Sequence, residues 1–272
     1  GMNLFPSYFV GKMPAAVWMI TYPMGLNQPS HWDVLYHSYG AADIIKEMYN
    51  KQGLEWIGLV HHDINLIHSK KPINSLEDFR GLKMRAPGGM IAEAFANIGA
   101  KTTLLPGSEV YPALEKGTIE AADFVGPAVN YDLGFHQVTN YIVMGPPSTP
   151  CLHQPVDLMD FSLGKRVYES LSPRMKELLP DLVDAYSREH YTGIQKANME
   201  AWGKYEAAGT KVTHLSEEDV AKFRKVAIPL WFKWANINKD AARLFELHLK
   251  CMQDPAIGLI TPDDIKGFEL KI

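Results

Sequence analysis

The chain has 272 residues, of which 46% are hydrophobic and 21% charged, with a formal net charge of −4. That length buries a substantial core, and the mixture excludes a disordered chain. A mildly acidic balance gives no reason to expect nucleic acid or an anionic membrane as a partner, and two cysteines, Cys151 and Cys251, do not make a disulfide scaffold.

No apolar run is long enough to span a bilayer. Asn3-Leu-Phe-Pro does not read as a signal peptide, so location has to be inferred from something else. In chain order, Val17–Tyr22 reads as a buried strand. Residues 32–52 read as one helix, with Val34, Leu35, Ala41, Ile44, Ile45 and Met48 on one side and Gly53 at its end. Glu55–Val60 is a strand. Ser75, with Glu77 and Asp78 behind it, caps a helical turn that Gly81 closes. Leu82–Arg85 is a strand, Gly89–Ile98 a helix, Thr102–Leu105 a strand, Glu109–Glu115 a helix and Thr118–Val125 a strand. Strands alternating with short helices predict an α/β sheet with parallel pairs.

The last third is helical. Asp181–Glu206 carries Val183, Tyr186, Tyr191, Ile194, Ala201, Trp202 and Tyr205 at helical spacing. Lys211–Leu215 is a short strand. Ser216-Glu-Glu-Asp outlines a capping box for a helix whose stripe is Val220, Phe223, Ala227, Leu230, Trp231 and Trp234.

Two stretches suit a binding site. Arg85 is placed at the carboxyl end of a strand, just before Gly88 and Gly89 at the next helix start. Ligands of open α/β sheets sit beyond that end, a helix start favours anions, and arginine grips carboxylates with two parallel hydrogen bonds. Asp123-Phe-Val-Gly-Pro-Ala-Val-Asn-Tyr also leaves a strand end; Asp123, Asn130 and Tyr131 can orient a small ligand, and Phe124 can wall it. Taken singly, each has an ordinary structural explanation: a surface arginine, a core phenylalanine, helix-start residues. His61-His62-Asp63 suggests a metal-assisted hydrolase or lyase as the alternative function. Against it, neighbouring strand residues point to opposite faces and no HExxH or paired-cysteine set completes a metal centre. No GxGxxG, GxxxxGK[ST] or GxSxG occurs, which leaves nucleotide cofactors and a serine nucleophile unsupported.

Taken together, Asn74–Gly88 and Pro106–Pro127 resemble the DctP-type solute receptors of TRAP transporters, nearest the branch that binds 2-oxo acids and related monocarboxylates. The resemblance implies an α/β, two-lobed periplasmic binding protein-like fold with long C-terminal helices. Residues 1–85 would be the remainder of a first lobe, 86–150 a second lobe, and 151–272 a crossing segment and helical layer. It implies a periplasmic receptor that is not an enzyme, takes a small organic carboxylate (an oxo, hydroxy or aromatic acid) and delivers it to a membrane permease. In that family the arginine matching Arg85 meets the carboxylate. Asp123, Phe124, Asn130 and Tyr131 are expected around it, with Trp18 as a second wall and Asn65, His153 and Gln154 as further contributors. Helix exchange at the C-terminus would give a homodimer.

The chain departs from the family in two ways. An initial strand–helix–strand unit is not found. The acidic and glutamine residues that help hold a metal in the oxo-acid branch are matched only by Asp123 and, loosely, Asn65, so no cofactor is expected.

Overall fold

The computed structural model describes residues 2–271. Strands β1 (Met2–Leu4) and β2 (Leu54–His61) belong to one sheet. Strands β3 (Ile67–Ser69), β4 (Lys83–Arg85), β5 (Lys101–Thr103), β6 (Ala121–Asp123) and β7 (Tyr141–Met144) belong to another. Strand β8 (Leu158–Gly164) returns to the first sheet and β9 (Lys211–His214) to the second. The first sheet is antiparallel with order β1-β8-β2; the second has order β5-β4-β6-β3-β7-β9. Within it β4 runs parallel to β5 and β6, and β7 to β9, while β3 is antiparallel to both neighbours. The chain therefore changes sheet at 62–66, at 145–157 and again between β8 and β9, and Arg85 lies inside the second sheet.

Helices α1 (Pro29–Asp33) and α2 (Ala41–Lys51) replace the single helix read over 32–52. A π-helical turn over Val34–Ser38 follows α1, and Gly40 adopts φ 82° before α2 starts. Helices α3 (Gly89–Asn97), α4 (Gly107–Glu115), α5 (Pro127–Asp132) and α6 (Phe135–Val138) decorate the second sheet. After α7 (Lys165–Glu169), α8 (Pro173–Ala207) runs past both sheets. Its Val183 packs with Ile57 and Val60 of the first, and its Ala201 and Tyr205 pack with Leu66 and Ile142 beside the second. Helix α9 (Glu217–Ala235) starts at the expected capping box of Ser216 and Asp219. Helix α10 (Lys239–Gln253) packs against Pro14–Trp18 and α2 of the same chain.

Val17–Tyr22 is buried as expected but is not a strand. Pro14–Trp18 is a 3-10 helix, because the prolines and aromatics here plug a core between helices instead of joining a sheet. Trp18 stacks on Phe245 at 4.2 Å and meets Tyr22 edge-on at 5.0 Å. Strands β1, β3, β7 and β8 have no counterpart in the sequence reading. Three of them span four residues or fewer, too short for alternation to stand out.

Candidate ligand cleft

Strand β4 ends on Arg85 and β6 on Asp123, neighbours in a parallel pair, so their side chains emerge at one carboxyl edge. Arg85 is only 3% exposed. Its Nη1 donates to the Asp123 carbonyl at 2.6 Å and its Nε to the Leu105 carbonyl at 3.4 Å. The guanidinium lies over the Phe124 ring, 5.0 Å from its centroid, and 3.8 Å from Asp123 Oδ2. Nη2 has no bond to any described residue.

Behind the arginine lies a buried relay. His153 Nε2 donates to Asp123 Oδ1 at 2.9 Å, and Nδ1 faces Cys151 Sγ at 3.4 Å. The thiol donates to the Asn65 carbonyl at 3.3 Å and accepts from Gln154 N–H at 3.2 Å. Those directions leave His153 donating on both sides, as an imidazolium does. Burial works against that charge, but the Cys151 sulfur and the Asp123 carboxylate outweigh it and hold the pKa up at about 10. Asp123 Oδ2 and Asn65 Oδ1 are buried without a hydrogen bond to any described residue.

An open cleft of about 90 Å³ runs along this edge. Arg85, Phe124, Val125 and Pro87 line one side, and Asn65, Gln154 and Asp157 come from the crossing segments, with Phe5 and Tyr8 at the rim. Asn65 Nδ2 donates to Gln154 Oε1 at 2.9 Å. Burial raises the Asp157 carboxyl to about 7, with Asp123 and Asp63 adding to this and Arg85 and the Leu158 N–H opposing it.

Of the residues expected from sequence, Arg85, Phe124, Asn65 and Gln154 line the cleft, and Asp123 and His153 stand directly behind it. Trp18 does not: it is fully buried in the helical core. Asn130 is buried as well, and its amide donates to the Val125 carbonyl before its own helix. Tyr131 stacks on His136 at 3.9 Å and sits edge-on to Tyr205. Both fell into the expected set because they follow Phe124 closely, yet α5 turns them away from the cleft. Asp157 was missed; between Val156 and Leu158 nothing local distinguishes it. The His61-His62-Asp63 cluster is split three ways. His61 pairs with Asp33 at 2.8 Å, His62 faces His190, and Asp63 binds Asn198. Among the described residues no group of three or more His, Cys, Asp or Glu could hold a metal ion.

The family model for bacterial extracellular solute-binding protein family 7, DctP, matches residues 3–237. This chain is a member of that family. It is 27% identical over 248 residues to the monocarboxylate 2-oxoacid-binding periplasmic protein of Nostoc sp. PCC 7120, covering 86% of this chain and 62% of that protein. The DctP chain thus spans less than two thirds of that relative's length. A TRAP periplasmic solute-binding protein from Rhodobacter sphaeroides, solved in an apo open form, is 28% identical with a TM-score of 0.74; the match covers 94% of this chain and 79% of that one. A TRAP solute-binding protein from Bordetella bronchiseptica is 24% identical with a TM-score of 0.84, covering 93% and 74%. That structure is a mixed-occupancy dimer with copurified calcium and picolinate in one site, and its likeness speaks to the fold. Among the described residues no helix of this DctP protein is long and apolar enough to cross a membrane.

Proposed function

We propose that this chain is the ligand-binding part of a TRAP-type solute receptor. It captures a small organic carboxylate at Arg85 and delivers it to a membrane permease, as a binding protein and not as an enzyme. The single observation that carries the reading is a buried guanidinium on the wall of a cleft, with Nε and Nη1 bonded to carbonyls and Nη2 unspent. A buried cation is costly unless an anion meets it. On the scale of about 10–15 Å³ per enclosed water, the cleft holds roughly six to nine non-hydrogen atoms, a range that takes in short oxo and hydroxy acids and small aromatic ones. Phe124 gives an aromatic acid a face to lie against. Near neutral pH Asp157 is divided between a protonated form, which donates to a bound carboxylate, and an ionised one.

Asp157 and the buried, unpartnered Asn65 Oδ1 offer oxygen acceptors here, while Gln154 Oε1 is taken by Asn65 Nδ2. That set fits a hard cation such as calcium whose remaining ligands come from the guest. When bound, such an ion would supply positive charge between Asp157 and the ligand. Periplasmic location and a permease partner follow from the family reading. The two sheets would be the two lobes, and a homodimer, the state of the Bordetella relative, is to be tested by light scattering.

The test is calorimetry with pyruvate and picolinate, with and without calcium. Arg85→Ala is expected to abolish binding while the protein stays folded. Unchanged affinity in that variant would remove the assignment.

A further inference from the structure

Asp63, which begins the passage from the first sheet to the second, is 1% exposed. Its carboxylate accepts from Asn198 Nδ2 at 2.8 and 3.0 Å and from Ile64 N–H at 2.8 Å. Asn198, 5% exposed on α8, accepts in turn from the backbone N–H of Ala128 at 2.9 Å. The backbone joins the same point to the second crossing. Asp157 N–H donates to the Asp63 carbonyl at 2.6 Å, and His62 N–H to the Asp157 carbonyl at 2.9 Å. Gly126 passes so close that a Cβ there would lie 1.7 Å from Asp63 Oδ2. Burial raises the pKa of Asp63, against the bonds from Asn198, Ile64 and Gln195.

This knot sits one residue behind the cleft. Asp157 lines one wall, Phe124 and Val125 line the other, and Gly126–Ala128 continues directly from them. Buried carboxylates are poor devices for stability, since well-packed apolar groups do as well. What a fully bonded one does supply is a fixed geometry between the elements it joins.

We propose that Asp63 and Asn198 are positioning residues for ligand capture. They pin both crossing segments and α8 to the Phe124–Ala128 turn, so that the Arg85 wall and the Asp157 wall meet in one register. The inference rests on the cleft being the ligand site. Without the pin the walls drift apart after encounter, so ligand dissociation is the step that suffers.

The experiment compares Asn198→Ala with the exchange variant Asp63→Asn/Asn198→Asp. In the exchange variant the amide and carboxylate trade places, and the bonds to Ile64 N–H and Ala128 N–H can both be remade. Hydrogen exchange is read first, without ligand. Asn198→Ala is expected to speed exchange at Ile64, Ala128 and Asp157 by about tenfold or more, leaving β4 and β8 unchanged. Stopped-flow with pyruvate and calcium then gives the rates. Dissociation should quicken about tenfold with association nearly constant, and the exchange variant should restore both. If Asn198→Ala does not fold, Asn198→Ser is read the same way. Unchanged local exchange overturns the proposal, as does an exchange variant that folds but dissociates as fast as the single one. Failure of the wild type to bind pyruvate counts against the receptor reading alone, because the exchange measurement still decides the pin.

Discussion

Arg85 commits Nη1 and Nε to carbonyls of its own lobe, and this fixes the direction in which Nη2 points. A lysine cannot do both, having one nitrogen and no fork. Arg85→Lys is therefore expected to keep the charge and still lose about 2–5 kcal/mol of carboxylate binding, read by calorimetry against wild type. Asp160 makes a different prediction. Burial raises its carboxyl to about 7, partly offset by the hydrogen bond from Tyr49. The native state thus holds a proton that the unfolded chain releases near pH 4. This group's contribution is fully present below about pH 4 and is lost as pH rises through about 7. Asp160→Asn should remove that loss. Urea unfolding at pH 5 and pH 8 should show the variant gaining on wild type at the higher pH, on the order of 1–3 kcal/mol. An equal difference at both pH values would contradict the assignment.

At the scale of elements, the Pro14–Trp18 turn and α10 form a core plug, and Trp18 is buried in it outside the cleft lining. Trp18→Ala should cost about 3–5 kcal/mol in unfolding, with ligand affinity of the folded protein unchanged. A loss of affinity at constant stability would return Trp18 to the cleft. The same plug shows where sequence patterning stops. Gly89–Ile98 was legible because its apolar residues repeat at helical spacing, and Glu55–Val60 because a short apolar run follows the glycine that ends a helix. Val17–Tyr22 is all buried, and an all-apolar run fits a strand or a packed turn equally well. The break at Gly40 was hidden because α1 and α2 bury the same side of the chain. Arg85 and Asp123 were legible because a strand end followed by glycine or proline is a local signal. Asp157 was not, since it reaches the cleft only through pairing of crossing segments nearly a hundred residues apart, 62–66 with 154–157. Asn130 and Tyr131 show the converse: adjacency in sequence to Phe124 does not survive one turn of α5.

At the scale of the whole molecule, two sheets are joined by two crossings and one long helix, and the cleft lies where the crossings meet the second sheet. Residues that would hold a guest come from both sides of that junction. Arg85 and Phe124 belong to one sheet, while Asn65, Gln154 and Asp157 belong to the crossings. A guest that touches both sets stabilises the arrangement in which they approach. Its binding free energy must then appear both as compaction and as thermal stability. A divalent cation at the proposed site would act on the same junction, because the crossings alone give it too few oxygen ligands and the guest's carboxylate would supply the rest. Linkage makes the effect reciprocal: whatever factor calcium adds to pyruvate affinity, pyruvate adds to calcium affinity. Thermal unfolding at pH 7.5 should therefore rise little with either alone and clearly with both. Small-angle scattering should show a smaller radius of gyration only in the mixture. In Asp157→Asn the joint effect should fall to the sum of the separate ones. If EDTA leaves pyruvate affinity and compaction unchanged in wild type, Arg85 alone holds the guest and the oxygen acceptors of the crossings have another purpose.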